Sequence, residues 1–106
     1  MKVYVVVPYK GRDRQAARTQ YFRAKAALEA HGYQVAAALD KPGPEKLMMP
    51  YSGEARDREL YEMGKHLMHM SCCDAVYPVD GWDSAPECVA EVYAAEAFGL
   101  RRLEAI

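Results

Sequence analysis

The sequence predicts an α/β protein: a parallel sheet of four to five strands between two layers of helices, a small three-layer αβα arrangement. Three observations predict it. The chain opens on a β-branched run, Val3-Tyr4-Val5-Val6-Val7, closed by Pro8. An unbroken apolar run of that length suits a strand covered on both faces, as strands of parallel sheets are. Segments with apolar residues at helical spacing then alternate with further short apolar runs, giving the order βαβ, long connection, αβαβ, which implies helices on both faces of the sheet.

Each element has its own signals. The loop Tyr9-Lys10-Gly11-Arg12 follows the first strand, and Asp13 is the N-cap of the first helix. Ala17, Tyr21, Ala24 and Leu28 form its inward face, and Gly32 supplies the stop. Residues 33–39 form the second strand, although three consecutive alanines there are weak strand formers. Residues 40–53 hold Pro42, Pro44 and Pro50 and read as a long irregular connection, the kind often used as a lid. A second helix is expected over residues 54–71, with Leu60, Met63, Leu67 and Met70 on one core-facing stripe. Ala75-Val76-Tyr77-Pro78-Val79 is the third strand. Ser84-Ala85-Pro86-Glu87 combines a capping box with proline in the first turn, so a third helix starts there and runs to Phe98, before Gly99. Residues 101–106 are a short last strand. The arrangement is flavodoxin- or Rossmann-like, and residues 1–106 are expected to form one domain.

Composition narrows the function. With 14 Lys and Arg against 15 Asp and Glu, the formal net charge is −1, so no overall field favours polymeric nucleic acid or an anionic membrane. No apolar run approaches the roughly 18 residues of a spanning helix, and the first run is too short for a secretory leader. Cys72, Cys73 and Cys88 lack metal-ligand spacing and read as reduced thiols, which points to the cytoplasm. No metal or cofactor is expected.

Ligands of open parallel sheets sit beyond the carboxyl ends of the strands. The first loop there gathers Pro8, Lys10, Gly11, Arg12 and Arg14 before a helix N-terminus, which suits a phosphate. The segment after the third strand offers Asp80, Gly81, Trp82 and Ser84. On the third helix Glu91 falls between Phe98 and Ala95, a setting that suits a nucleophile or a raised pKa. Glu96 also falls between apolar neighbours, Val92 and Val89, so periodicity does not choose between the two acids. Glu87 has a sufficient role as the capping-box partner of Ser84.

Tyr4, Pro8, Gly11, Cys73-Asp74-Ala75-Val76-Tyr77, Gly81-Trp82, Glu91 and Gly99 together form a pattern. It resembles the DUF4406 group of the nucleoside 2-deoxyribosyltransferase-like superfamily over nearly the whole chain. Its most specific piece is C-D-A-V-Y, then G-W, then a glutamate ten residues after that glycine. The resemblance implies a nucleoside or nucleoside 5′-monophosphate as substrate. Glu91 would attack the anomeric carbon to form a glycosyl ester, and Tyr4 would orient it by a hydrogen bond. It also implies that Asp74 belongs to the binding set and that the protein is a homodimer or larger homo-oligomer.

The chain departs from that pattern at three places. The Ser-Gly of the first strand is Val6-Val7, the acid that handles the leaving base is His66, and the small pair before the nucleophile is Ala85 and Glu87. A histidine can protonate a leaving base near neutral pH. The leading expectation is therefore an N-glycosidic-bond hydrolase or base-exchanging transferase. The second is an inactive nucleotide-binding module for sensing or sequestration, and the third a different chemistry on the same scaffold.

Overall fold

A computed structural model describes residues 1–36 and 56–104. Its sheet has four parallel strands in the order β2-β1-β3-β4, where β1 is Lys2–Val6, β2 Gln34–Val35, β3 Ala75–Pro78 and β4 Arg101–Arg102. The α/β class with an all-parallel sheet is thus as expected. β1 and β3 are the central pair, in register from Val3 opposite Ala75 to Val6 opposite Pro78.

Alternation along β1 divides the core, because successive side chains of a strand point to opposite faces. Val3, Val5 and Val7 pack with Tyr21, Ala24 and Leu28 of α1 (Arg14–Ala30). Tyr4 and Val6 pack on the other face with Met70 of α2 (Arg58–Met70) and with Cys88, Val92 and Ala95 of α3 (Pro86–Ala97). One helix on one side and two on the other make three layers. The buried Tyr21 hydroxyl donates to the Ala36 carbonyl at 2.6 Å, which ties α1 to the end of β2. Cys73 and Cys88 are buried and Cys72 exposed, all as free thiols. Among the described residues no helix is long and apolar enough to cross a membrane.

The helix ends follow local chemistry. Asp13 accepts from the Gln15 amide at 3.4 Å, satisfying one of the orphan donors of the first turn. Gly32 stops α1 at a φ of 87°, and the Tyr33 amide reaches back to the Leu28 carbonyl at 3.1 Å. That left-handed step is cheap for glycine and strained for other residues.

Several boundaries differ from expectation. The described part of β2 is two residues, and the rest of the predicted strand and the 40–53 connection lie outside the described residues. α2 starts at Arg58 because Asp57 caps it, accepting from the Leu60 amide at 3.0 Å. Met70 is 4% exposed and Leu67 packs on the core, but Leu60 is 66% exposed. Leu60 lies in the first turn of α2 and stays in solvent, so the stripe is buried toward its C-terminal end. β4 has two residues, although the Leu103 amide still donates to the Val76 carbonyl at 2.9 Å.

The capping box is absent. Ala85 is the N-cap of α3 and no side chain caps it. Ser84 belongs instead to a 3-10 turn, Trp82–Ser84, which aims its side chain into solvent.

Candidate active site

The strand order fixes where a site can form. The chain leaves β1 for one side of the sheet and β3 for the other, which makes this pair the switch point, and ligands of open parallel sheets bind in the crevice outside the carboxyl ends of such strands. Residues 7–13 form one rim and residues 79–85 the other. α3 starts from the second rim and runs back beneath it.

Along α3, Glu87 and Glu91 stand one turn apart on the inward face. Both are buried, at 6% and 1% exposure. Glu96, the acid that periodicity could not separate from Glu91, is exposed and pairs with Arg102 at 3.5 Å. Phe98, expected beside Glu91, is 85% exposed because the helix ends there and the chain turns at Gly99.

Glu91 has a partner from α2. His66 Nδ1 lies 3.2 Å from Glu91 Oε2, in a site where both side chains are buried. Tyr9, from the first rim, sets its ring edge-on against the His66 imidazole with centroids 4.4 Å apart. The Tyr9 hydroxyl is buried and makes no hydrogen bond of proper geometry, although it lies near the Glu91 carboxylate. Tyr4 lies deeper, mid-strand and 2% exposed, on the same face of the sheet as Glu91.

The charges follow from this packing. Burial raises the Glu91 carboxyl above the usual range, because a desolvated carboxylate costs more than the acid. Glu87 adds to the rise, while the His66 hydrogen bond and charge, and Tyr9, work against it. Both Tyr9 and Tyr4 have raised hydroxyl pKa values, from burial first and the Glu91 charge second, so each stays a neutral phenol. The Cys88 thiol is pushed up to about 12, chiefly by burial, which leaves it an inert core residue. A carboxylate with a histidine and a neutral phenol around it can act as nucleophile or base.

Glu87 has a different task from the one its position suggested. Its Oε2 accepts from the backbone amides of Tyr9, at 3.1 Å, and Lys10, at 2.9 Å. Two backbone amides of the loop expected to hold a phosphate are therefore filled by an internal carboxylate. The cations beside them are also engaged. Arg12 Nη1 donates to the Pro8 carbonyl at 3.1 Å and to Gln20 Oε1 at 2.8 Å. Lys10 Nζ lies 4.0 Å from Glu59. Arg14, exposed, begins α1, and Gly11 turns the loop before it at a φ of 64°.

The second rim holds its residues as follows. The Asp80 carbonyl accepts from Gln20 Nε2 at 3.1 Å, while the residue itself is exposed. Gly81 takes a φ of 86°, which lets the chain reverse into the 3-10 turn without Cβ strain. Trp82 packs on the core, with the Arg102 guanidinium 5.4 Å from its ring centroid. Ser84 is exposed.

Asp74 does not join the site. It precedes β3, where its Oδ2 accepts from the Lys2 amide at 2.9 Å. The four residues of β3 separate it from the crevice by about 13 Å. Its role is to pin the entry edge of the sheet.

Sequence reasoning missed Tyr9 and the true role of Glu87. An aromatic placed directly after the strand-ending proline was the available sign for Tyr9. For Glu87 it was the four-residue step to Glu91, which puts both acids on one face. Among the described residues no group of three or more His, Cys, Asp or Glu side chains converges to hold a metal. In comparisons with known proteins, no family model, curated protein or solved structure matches this chain.

Proposed function

We propose that this protein cleaves or exchanges the N-glycosidic bond of a nucleoside or nucleoside 5′-monophosphate, with Glu91 as nucleophile. The observation that carries the reading is the buried Glu91–His66 pair, 3.2 Å apart, facing the unpartnered Tyr9 hydroxyl at the switch-point crevice. The resemblance in motif order, from Tyr4 to Glu91, supports the same chemistry.

In this reading the Glu91 carboxylate attacks the anomeric carbon as the C–N bond breaks, and the base departs with the bonding electrons. A glycosyl ester remains, which water hydrolyses or a second base attacks. His66 supplies the proton that the departing base needs. Tyr9, a neutral phenol, orients the carboxylate or a sugar hydroxyl, and Tyr4 supports the carboxylate from below.

Release of free base from the common deoxynucleosides and their monophosphates tests this, with Glu91→Gln abolishing turnover while binding persists. Val6 and Val7, both buried, fill space next to the backbone and favour the second reading, a nucleotide binder without turnover. Binding without any base release would establish it. The reading also includes a cytoplasmic location, from the free thiols, and a homo-oligomer. Tyr93 and Phe98, exposed on and just after α3, offer apolar area for a second copy, and size-exclusion with light scattering would measure it.

A further inference from the structure

We infer that Glu87 sets the substrate class of this site: it fills the anion-holding position of the first loop, so the site takes nucleosides with a free 5′-hydroxyl and turns away 5′-monophosphates. The inference rests on the nucleoside reading above and narrows it.

Three observations carry it. The Tyr9 and Lys10 amides, two of the backbone donors of the loop expected to hold a phosphate, both bond Glu87 Oε2. Glu87 is 6% exposed, so the bonds are shielded from competing water. Arg12 Nη1 is committed to the Pro8 carbonyl and to Gln20 Oε1, so part of that guanidinium is already engaged. A phosphate arriving here would have to displace a covalently tethered carboxylate and face Glu91 one turn further on, and like charges at such range repel.

Glu87 also offers something to a neutral ligand. Both amides go to Oε2, so Oε1 remains an acceptor. A nucleoside carries its 5′-hydroxymethyl group and its base on the two carbons that flank the ring oxygen, close enough together to meet two side chains one helical turn (~5.4 Å) apart. With the anomeric carbon at Glu91, Oε1 of Glu87 suits a 5′-hydroxyl donor and opposes a phosphate, which at neutral pH has mainly acceptors.

Calorimetric titration with thymidine, deoxycytidine, deoxyadenosine and deoxyguanosine, each beside its 5′-monophosphate, tests the inference. The wild type should favour the nucleoside by about tenfold or more. Glu87→Gln should erase or reverse that preference, most strongly at low salt. Monophosphate binding equal to or tighter than nucleoside binding in the wild type would overturn it.

A second arm needs no nucleoside. Sulfate at low millimolar concentration, compared with chloride at equal ionic strength, should raise the melting temperature of Glu87→Ala clearly more than that of the wild type, which receives only the general stabilisation that sulfate gives a folded protein. Equal stabilisation of both proteins would mean that Glu87 does not occupy the anion position. If no nucleoside or monophosphate binds, the nucleoside reading fails by itself, and the sulfate arm still judges Glu87. Should Glu87→Ala not fold, the comparison of nucleoside with monophosphate in the wild type and Glu87→Gln decides the inference.

Discussion

Replacing Glu87 by alanine should destabilise the fold far more than an exposed-looking first-turn glutamate would suggest. Glu87 accepts two backbone amides from another part of the chain, and hydrogen bonds to a charged group contribute roughly 1.5–3 kcal/mol each. The two share one oxygen and one loop, so they do not add fully, and a loss of about 2–4 kcal/mol is expected. For a domain of this size that lowers the melting temperature by roughly 10–25 °C. Thermal and urea unfolding followed by circular dichroism would measure it. Glu87→Gln keeps an acceptor oxygen without the charge and should cost about half as much. Ser84→Ala is the decisive control. A capping box would make it cost about 1 kcal/mol, whereas an exposed turn serine should stay within about 0.5 kcal/mol. If Ser84→Ala destabilises as much as Glu87→Ala, the assignment of Glu87 to the first loop is wrong.

Other outcomes follow from the Glu91 cluster. The raised Glu91 pKa means that the folded state holds this proton more tightly than the unfolded chain, so stability falls as pH rises through the interval between the two values. Glu91→Gln lacks this term, and its stability relative to wild type should therefore climb with rising pH from about 4 upward; parallel pH–stability curves would contradict the shift. His66→Ala removes a group that lowers the Glu91 pKa, so the acidic limb of kcat/KM should move to higher pH and base release should slow, which stopped assays across pH 5–8 would show. Tyr9→Phe deletes a buried hydroxyl with no bond of its own and should leave the protein as stable as before or up to about 2 kcal/mol more stable. The same change should weaken nucleoside binding, and unchanged affinity would remove Tyr9 from the site. Tyr4→Phe should reduce turnover less than Glu91→Gln does, since an orienting phenol is lost rather than the reacting carboxylate.

Much of the scaffold was legible because it rests on short-range patterns. The run Val3–Val7 is buried throughout, and Ala17, Tyr21, Ala24 and Leu28 all reach the core. The failures share a cause. Ser84 and Glu87 have the spacing of a capping box, yet the tertiary partner of Glu87 is 77 or 78 residues away in sequence, and no local rule anticipates that. Leu60 keeps the helical register of Met63 and Met70, but register says nothing about how far along a helix the core extends. Glu91 and Glu96 were equivalent by periodicity, since both have apolar neighbours on α3. Only the packing of α2, which brings in His66, separates them. Asp74 belonged to a motif whose residues straddle a strand, so part of that motif lies at the opposite end of the sheet from the crevice.

Gln20 has a mechanical consequence. Its carbonyl oxygen takes Arg12 from the first rim, and its amide nitrogen gives to Asp80 on the second. One side chain of α1 thus works as a tie-rod across the mouth of the crevice. Glu87 adds a second fastening, from α3 to the first rim. The remaining side is α2, which meets the others through Met70 and Leu67 in the core, the Lys10–Glu59 pair and the His66–Glu91 contact. Tyr9, standing edge-on to His66, occupies that seam like a wedge in a door.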